Sequence, residues 1–209
     1  MEEIKIINEV QSLHKAVAIT FDDGPNPIYT QQLLQIFQEV GGKATFYMIG
    51  DQMIKHPEIV KTVVDQKHEI GNHSYSHPKL TQIQLSDCET ELTRTDQIIT
   101  EMTGIKPATF RPPYLDYNEV VISISEKLGC KVIGALNLDA LDWEQPGIDF
   151  ILSKTRNHIR SGSILLFHDS RGDRSQTVEA VRILATELKE QGYQLVTVSE
   201  LLQLSETGV

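Results

Sequence analysis

Cysteine is almost missing from this chain. Only Cys88 and Cys130 occur in 209 residues, and no C-x-x-C pairs them. Disulfide scaffolds and zinc-finger modules are excluded, and the two thiols read as small buried hydrophobes. No run of 18 apolar residues occurs, so nothing reads as a membrane-spanning helix. The opening stretch, Met1 to Lys15, is charged and carries no apolar segment of leader length. The chain as written is therefore expected to be cytoplasmic; a secreted or cell-surface domain cut from a longer chain would read the same. Positive charge is also short. The formal charge is −10, which repels phosphate backbones and anionic lipids, so nucleic acid is not an expected partner. A neutral or cationic substrate is easier to accommodate. There is no dinucleotide fingerprint, low-complexity tract or linker. A chain of this size buries roughly 70% of its unfolded surface, so residues 1–209 read as one domain. The oligomeric state stays open.

What the sequence does have is a repeat of pattern. Short apolar runs alternate with longer amphipathic ones. The short runs are 17–21, 44–49, 68–72, 108–111, 131–136, 163–167 and 194–198. Several are continuous in β-branched and aromatic residues, which suits parallel strands buried on both faces. Between them, Ser86 and Glu89 form an S-x-x-E capping pattern. Cys88, Leu92, Ile99 and Met102 then recur at helical spacing, with Gly104 as a C-cap. A second helix is expected over 177–191, with Gly192 behind it, and a third from about Tyr29 to Gly41-Gly42. Repeated βα units without a dinucleotide fingerprint favour an α/β fold of the TIM type, a distorted seven-stranded (β/α) barrel.

On that reading every notable ionisable group follows a strand. Asp22 and Asp23 follow the first, His73 and His77 the third, Arg111 ends the fourth, Asp139 and Asp142 follow the fifth, and His168 follows the sixth. In βα barrels those strand ends form one face, where sites are built. Two imidazoles and a carboxylate suffice for a divalent ion, with the second carboxylate left over as a base. The H-x-x-x-H pair carries no glutamate between its histidines, and Pro78 disfavours helical backbone at His77. The pair is thus expected in a loop. Asp22-Asp23 before Gly24-Pro25 could also serve as turn formers. His14, His56, His68 and His158 lack a partner at ligand spacing. Asp169 and Asp173 read as loop-setting groups, Asp139 as a turn former or a support behind the residues of the site, and Tyr47 as packing or a sugar platform.

Five motifs carry a resemblance: Thr20-Phe-Asp-Asp-Gly-Pro25, His73-Ser-Tyr-Ser-His-Pro78, Arg111-Pro-Pro-Tyr114, Asp139-Ala-Leu-Asp-Trp143 and Leu165-Leu-Phe-His-Asp169. In this order the chain resembles the polysaccharide deacetylases, carbohydrate esterase family 4, over about residues 15–203. The resemblance implies a hydrolase that removes N-acetyl groups from amino sugars of chitooligosaccharide or peptidoglycan type. It implies that Asp23, His73 and His77 hold a divalent metal, zinc by preference, with cobalt or nickel as substitutes. Asp22 would be the general base, with Arg111 orienting it. His168 would be the acid that protonates the leaving amine, supported by Asp142. Tyr114 would offer its backbone N–H to the oxyanion, Trp143 would pack beside the acid, and Leu166 would line the acetyl pocket. After Tyr114 many members carry glycine; here Leu115-Asp116 follow, which bears on substrate preference. An O-acetyl esterase acting on xylan, an idle carbohydrate-binding domain and a hydrolase of non-sugar amides are the alternatives.

Overall fold

A computed structural model describes residues 6–206 of the chain. Its strands are β1 (Ala16–Asp22), β2 (Thr45–Met48), β3 (Glu69–Asn72), β4 (Thr109–Phe110), β5 (Lys131–Val132), β6 (Ile164–His168) and β7 (Gln194–Leu195). The helices are α1 (Tyr29–Val40), α2 (Gly50–Lys55), α3 (Pro57–Asp65), α4 (Leu85–Thr103), α5 (Glu119–Lys127), α6 (Ile148–Arg156), α7 (Ser175–Glu190) and α8 (Val198–Glu206). All strand pairs are parallel, in the order β5-β4-β3-β2-β1-β6, with β7 also on β1. β7 joins β1 only at Ala16 and Val17. Lys43 N–H donates to Leu195 O, so β7 is wedged between the feet of β1 and β2.

The sheet curls towards closure. Leu136 N–H donates to Ile164 O at 3.1 Å, joining the segment after β5 to β6. The remaining seam is lined by the chain before β1: Ile7 bridges Ile133 and Glu9 bridges Ser163. The result is the expected distorted seven-stranded (β/α) barrel.

Alternation along the strands divides the side chains into two sets. Val17, Ile19 and Phe21 of β1 face outward with Phe46, Met48, Leu165 and Phe167 and pack on α1 and α7 in the largest core cluster. Ala16, Ala18, Tyr47, Ile133 and Ile164 form a second cluster closed by Leu201 and Leu202 of α8. Gly71 of β3 is forced by this packing, because a Cβ there would lie 2.4 Å from the Tyr47 ring. Continuing the inward column upward, β1 presents Thr20 and then Asp22. No helix among the described residues is long and apolar enough to cross a membrane.

Three local expectations are corrected. Ser86 is not the cap of α4: the helix begins at Leu85 after Gln84, with no side-chain cap, so Ser86 already lies inside the first turn. The helix does end at Gly104, in the left-handed region at φ 72°. β7 stops at Leu195 rather than 198, because Thr197 and Glu200 form a reciprocal capping box. Glu200 N–H donates to Thr197 Oγ1 at 3.1 Å, and Thr197 N–H donates to Glu200 Oε2 at 2.8 Å. β5 stops at Val132 rather than 136: a Cβ on Gly134 would meet Asn8, whose segment occupies the seam beside it.

Candidate metal and catalytic site

The β1 strand delivers Asp22 and Asp23 to the C-terminal mouth of the barrel. Asp22 is 4% exposed and Asp23 6% exposed. Asp23 takes a positive φ of 77°, uncommon for a residue with a side chain. The following turn is held from three sides. Ile49 N–H donates to Gly24 O, and Asp169 N–H donates to Asp22 O. Asn26 Oδ1 accepts from the N–H groups of Ile28 and Tyr29. Asn26, not the aspartates, therefore opens α1, and the turn-former reading of Asp22-Asp23 loses its main task.

His73 and His77 flank the loop after β3. The loop is not helical: Ser74 and His77 both have φ of 63°. Asn72 Oδ1 accepts from Ser74 N–H, and Ser74 Oγ accepts from His77 N–H. Glu91 of α4 accepts from the N–H groups of Tyr75 and Ser76 and from Ser76 Oγ. Asn72, Ser74 and Glu91 thus fix the loop that carries the two imidazoles. His73 Nδ1 lies 2.7 Å from Arg111 O, so it carries the proton and leaves the Nε2 lone pair facing the aspartates. Burial pushes the His73 imidazole down to about 4, against the pull of Asp22, which keeps it neutral as a ligand must be.

The donor atoms converge. His77 Nε2 is 3.0 Å and His73 Nε2 3.7 Å from Asp23 Oδ1. One ligand atom from each of Asp23, His73 and His77 lies within 4.8 Å of the others. Asp23 Oδ1 is buried with no hydrogen-bond donor. A buried carboxylate oxygen without a donor, facing two imidazole nitrogens, is a set of donors that could hold a divalent cation. These residues fit such an ion.

Arg111 occupies the barrel axis with no solvent exposure. Its Nη1 donates to Asp22 Oδ1 at 2.8 Å and to Thr20 Oγ1 at 2.6 Å, and Nη2 donates to Gly134 O. The guanidinium lies 4.3 Å over the Tyr47 ring. Tyr47 is therefore a buried support of the arginine and not a sugar platform. Asp22 is left with one oxygen on Arg111 and the other, Oδ2, 3.8 Å from His73 Nε2.

Across the cavity stands His168. Its Nδ1 lies 2.8 Å from Asp142 Oδ1, and its own N–H donates to Asp142 Oδ2 at 2.8 Å. Thr177 Oγ1 completes the carboxylate. Burial alone would push this imidazole down, but the Asp142 charge and hydrogen bond raise it to about 9. Nδ1 thus holds its proton on Asp142 and Nε2 is a second proton donor at neutral pH. Trp143 packs edge-on at 5.4 Å.

Asp22, Asp23, His73, His77, Tyr114, Trp143, Leu166 and His168 all line one cavity of about 430 Å³. Leu115 and Leu138 narrow it, and Arg171 and Arg174 complete the wall. Tyr114 is the exposed aromatic, 61% accessible, with its ring 4.6 Å from that of His77. Asp139 lies elsewhere: it accepts from His158 at 2.8 Å and sits near Lys154, so it is neither in the site nor supporting it. His68 is buried, accepting from Ala44 N–H. Asp173 orders its loop by accepting from Ser175. Asp169 is more than a loop former. It is fully buried, takes a hydrogen bond from Thr30 Oγ1, and lies so close over Gly24 that a Cβ there would be 2.6 Å from its carboxylate. Burial, with Asp23 and Asp22 adding to it, pushes Asp169 up to about 7. Glu91, Asn72, Arg171 and Arg174 escape sequence reasoning. The only signal for them is proximity of α4 and of the β6–α7 loop to the motifs.

A family model described as polysaccharide deacetylase matches residues 9–133. A peptidoglycan-N-acetylglucosamine deacetylase of Bacillus cereus is 38% identical over 93% of this chain and 92% of its own length. The peptidoglycan-N-acetylglucosamine deacetylase PgdA of Listeria monocytogenes is 32% identical over 90% of this chain, which spans only 39% of that longer protein. Among solved structures, a family 4 pseudoenzyme from Bacillus anthracis superposes with a TM-score of 0.86 at 30% identity, covering 96% of this chain and 69% of that one. A family 4 acetyl xylan esterase from Clostridium thermocellum, solved with a cobalt ion, gives 0.84 at 31% identity, covering 91% of each.

Proposed function

The chain belongs to the polysaccharide deacetylase family, and from its site we propose that it is a metal-dependent hydrolase of N-acetyl groups on amino sugars in peptidoglycan- or chitooligosaccharide-type glycans. One observation carries the reading: a base beside a cation-binding triad faces an imidazolium across a single cavity. Asp23, His73 and His77 would hold the ion, most simply Zn²⁺, with Co²⁺ or Ni²⁺ as substitutes. Such an ion supplies Lewis acidity towards the acetyl oxygen and acidifies the water it holds.

The chain's own residues do the rest. Asp22 Oδ2 accepts the proton of the attacking water, while Arg111 fixes the carboxylate through Oδ1. The Tyr114 N–H faces the developing oxyanion. Leu166 packs against the acetyl methyl. His168, charged at neutral pH, delivers its Nε2 proton to the departing nitrogen, and Asp142 stabilises the charge until then. An amine is a poor leaving group without that proton. A raised imidazole at this position therefore favours amide over ester cleavage. The acetyl xylan esterase among the similar structures keeps O-deacetylation as the second reading. The B. anthracis pseudoenzyme shows that the fold can persist without turnover, but here base, acid and all three donors are present.

The test is metal content beside acetate release. The purified protein should hold about one metal per chain and release acetate from chitooligosaccharides or peptidoglycan fragments. Chelation should abolish release, and Zn²⁺ should restore it. His73→Ala should lose metal and activity together. Metal binding with acetate from acetylated xylan alone would replace the N-deacetylase by the esterase reading. Failure to take up any metal would overturn the site assignment.

A further inference from the structure

The protein is acidic overall, with a formal charge of −10, yet the cavity wall is not. Its charges sort into committed and uncommitted groups. Asp22 is matched by Arg111, and His168 by Asp142. Asp23, His73 and His77 converge on the candidate ion site. What remains on the wall is a pair of guanidiniums, Arg171 and Arg174.

Arg174 is 5% exposed, and among the described residues its guanidinium donates to backbone carbonyls, those of Ser170, Trp143, Asp173 and Arg171. It is a fixed charge with no carboxylate bonded to it. It also ties the backbone of Arg171 in place, since its Nη2 donates to Arg171 O at 2.7 Å. Arg171 takes a positive φ of 61°, a conformation uncommon for a residue with a side chain. Its side chain is 45% accessible, and among the described residues its only ion-pair partner is Asp23, with Nε 3.6 Å from Oδ1 and no hydrogen bond between them. That partner is the carboxylate of the candidate ion site. A divalent ion held by Asp23 would compete for the same oxygen and repel the guanidinium. Arg171 would then stand at the cavity mouth with its planar fork unpaired, above an interior already positive through Arg174. Such a fork matches a carboxylate.

We propose that Arg171, backed by Arg174, reads a carboxylate on the glycan, and so makes an acidic sugar chain the preferred substrate. The proposal rests on the glycan-deacetylase reading above. It reverses the preference that net charge alone suggests: the surface at large disfavours anions, and the mouth selects them. Two sources of the carboxylate are open to test. One is the lactyl carboxylate of muramic-type residues freed of their stem peptide; the other is a uronic acid branch on an acetylated xylan.

The experiment compares two substrates, each with free carboxylates and with the same carboxylates amidated, peptidoglycan oligosaccharides freed of stem peptides and acetylated glucuronoxylan, beside chitooligosaccharides as the carboxylate-free reference. For the wild type, kcat/KM on the free-acid form should exceed that on the amidated form by about tenfold, the scale of one charge-assisted contact. Arg171→Ala should collapse that ratio to near one, and Arg171→Lys should restore part of it. Collapse on the peptidoglycan pair assigns the lactyl carboxylate; collapse on the xylan pair alone assigns the uronic acid. A wild-type ratio near one, or an Arg171→Ala loss that is the same on chitooligosaccharides, overturns the proposal. A calorimetric arm separates this from failure of the parent reading. Metal-loaded and metal-free protein are titrated with the same oligosaccharides in both forms. Preference for the free acid, stronger with metal and lost in Arg171→Ala, upholds anion recognition even if no acetate is released. Equal affinity for both forms overturns it.

Discussion

The two ends of the barrel are built on opposite principles. At the foot of the strands the polar groups are closed on themselves. Glu69 accepts from Thr45 Oγ1, Thr109 Oγ1, Ser199 N–H and Ser199 Oγ, tying α8 to β2 and β4. His68 is edge-on to Phe37 and Phe46, and burial pushes it down to about 4. At the mouth the accounting is left open. Asp23 Oδ1, His77 Nδ1 and Asp169 Oδ1 are buried without partners. Of the nine described non-glycine residues with positive φ, all but Lys67 follow the C-terminal end of a strand. Unmet hydrogen bonds and left-handed backbone each cost stability. The molecule gathers most of them where a ligand can satisfy them; away from the cavity, the Tyr47 hydroxyl is also buried without a partner. The same fold thus shows which end is for folding and which for chemistry.

That contrast is broken hardest at Asp22. Asp22→Asn keeps the shape and leaves the three donors of the ion site untouched. It should lower kcat by about 10³-fold, the range of a lost general base, while metal content by atomic absorption stays at the wild-type level. Full turnover in this variant would remove Asp22 as the base.

A smaller effect is expected across the cavity. His168 acts as an acid only when protonated, and Asp142 raises it from an ordinary 6.5 to about 9. Wild-type kcat should therefore be level through neutral pH and fall as pH rises through about 9. In Asp142→Asn the charge is gone while burial remains, so the basic limb should move to 6.5 or below, with kcat at pH 7 down about 10²-fold. A limb that stays near 9 in the variant would assign it to another group.

The site was more legible than the scaffold around it. Asp22, Asp23, His73, His77, Arg111, Asp142 and His168 each follow a strand, and a parallel barrel leaves strand ends only one face to occupy. Their convergence could be read from order alone. Caps were less legible, because S-x-x-E at Ser86 and T-x-x-E at Thr197 look alike in sequence. The first lies within the opening turn of a helix that starts at Leu85, and the second ends a strand the apolar pattern would have continued to Val198. Glu91 and Arg171 were invisible for a different reason. Their roles depend on which loop α4 and the β6–α7 connection pack against, and no spacing along the chain encodes that.

The foot of the barrel offers the sharpest control, because the expected effect on chemistry there is nil. Glu69→Ala removes an acceptor shared by four donors, those of Thr45 and Thr109 fully buried, and leaves them without that partner. That should cost about 2–3 kcal/mol, or roughly 5–10 °C in Tm for a chain of this length. Thr45 Oγ1 also accepts from Val198 N–H, so α8 should loosen at its first turn and show faster amide exchange there. The donors of the ion site lie at the opposite ends of β1 and β3 and share no hydrogen bond with this network. Metal content and kcat/KM at 25 °C should therefore match the wild type. If Glu69→Ala lost metal or turnover while still folded, the two ends would be coupled, and the division between a closed foot and an open mouth would have to be abandoned.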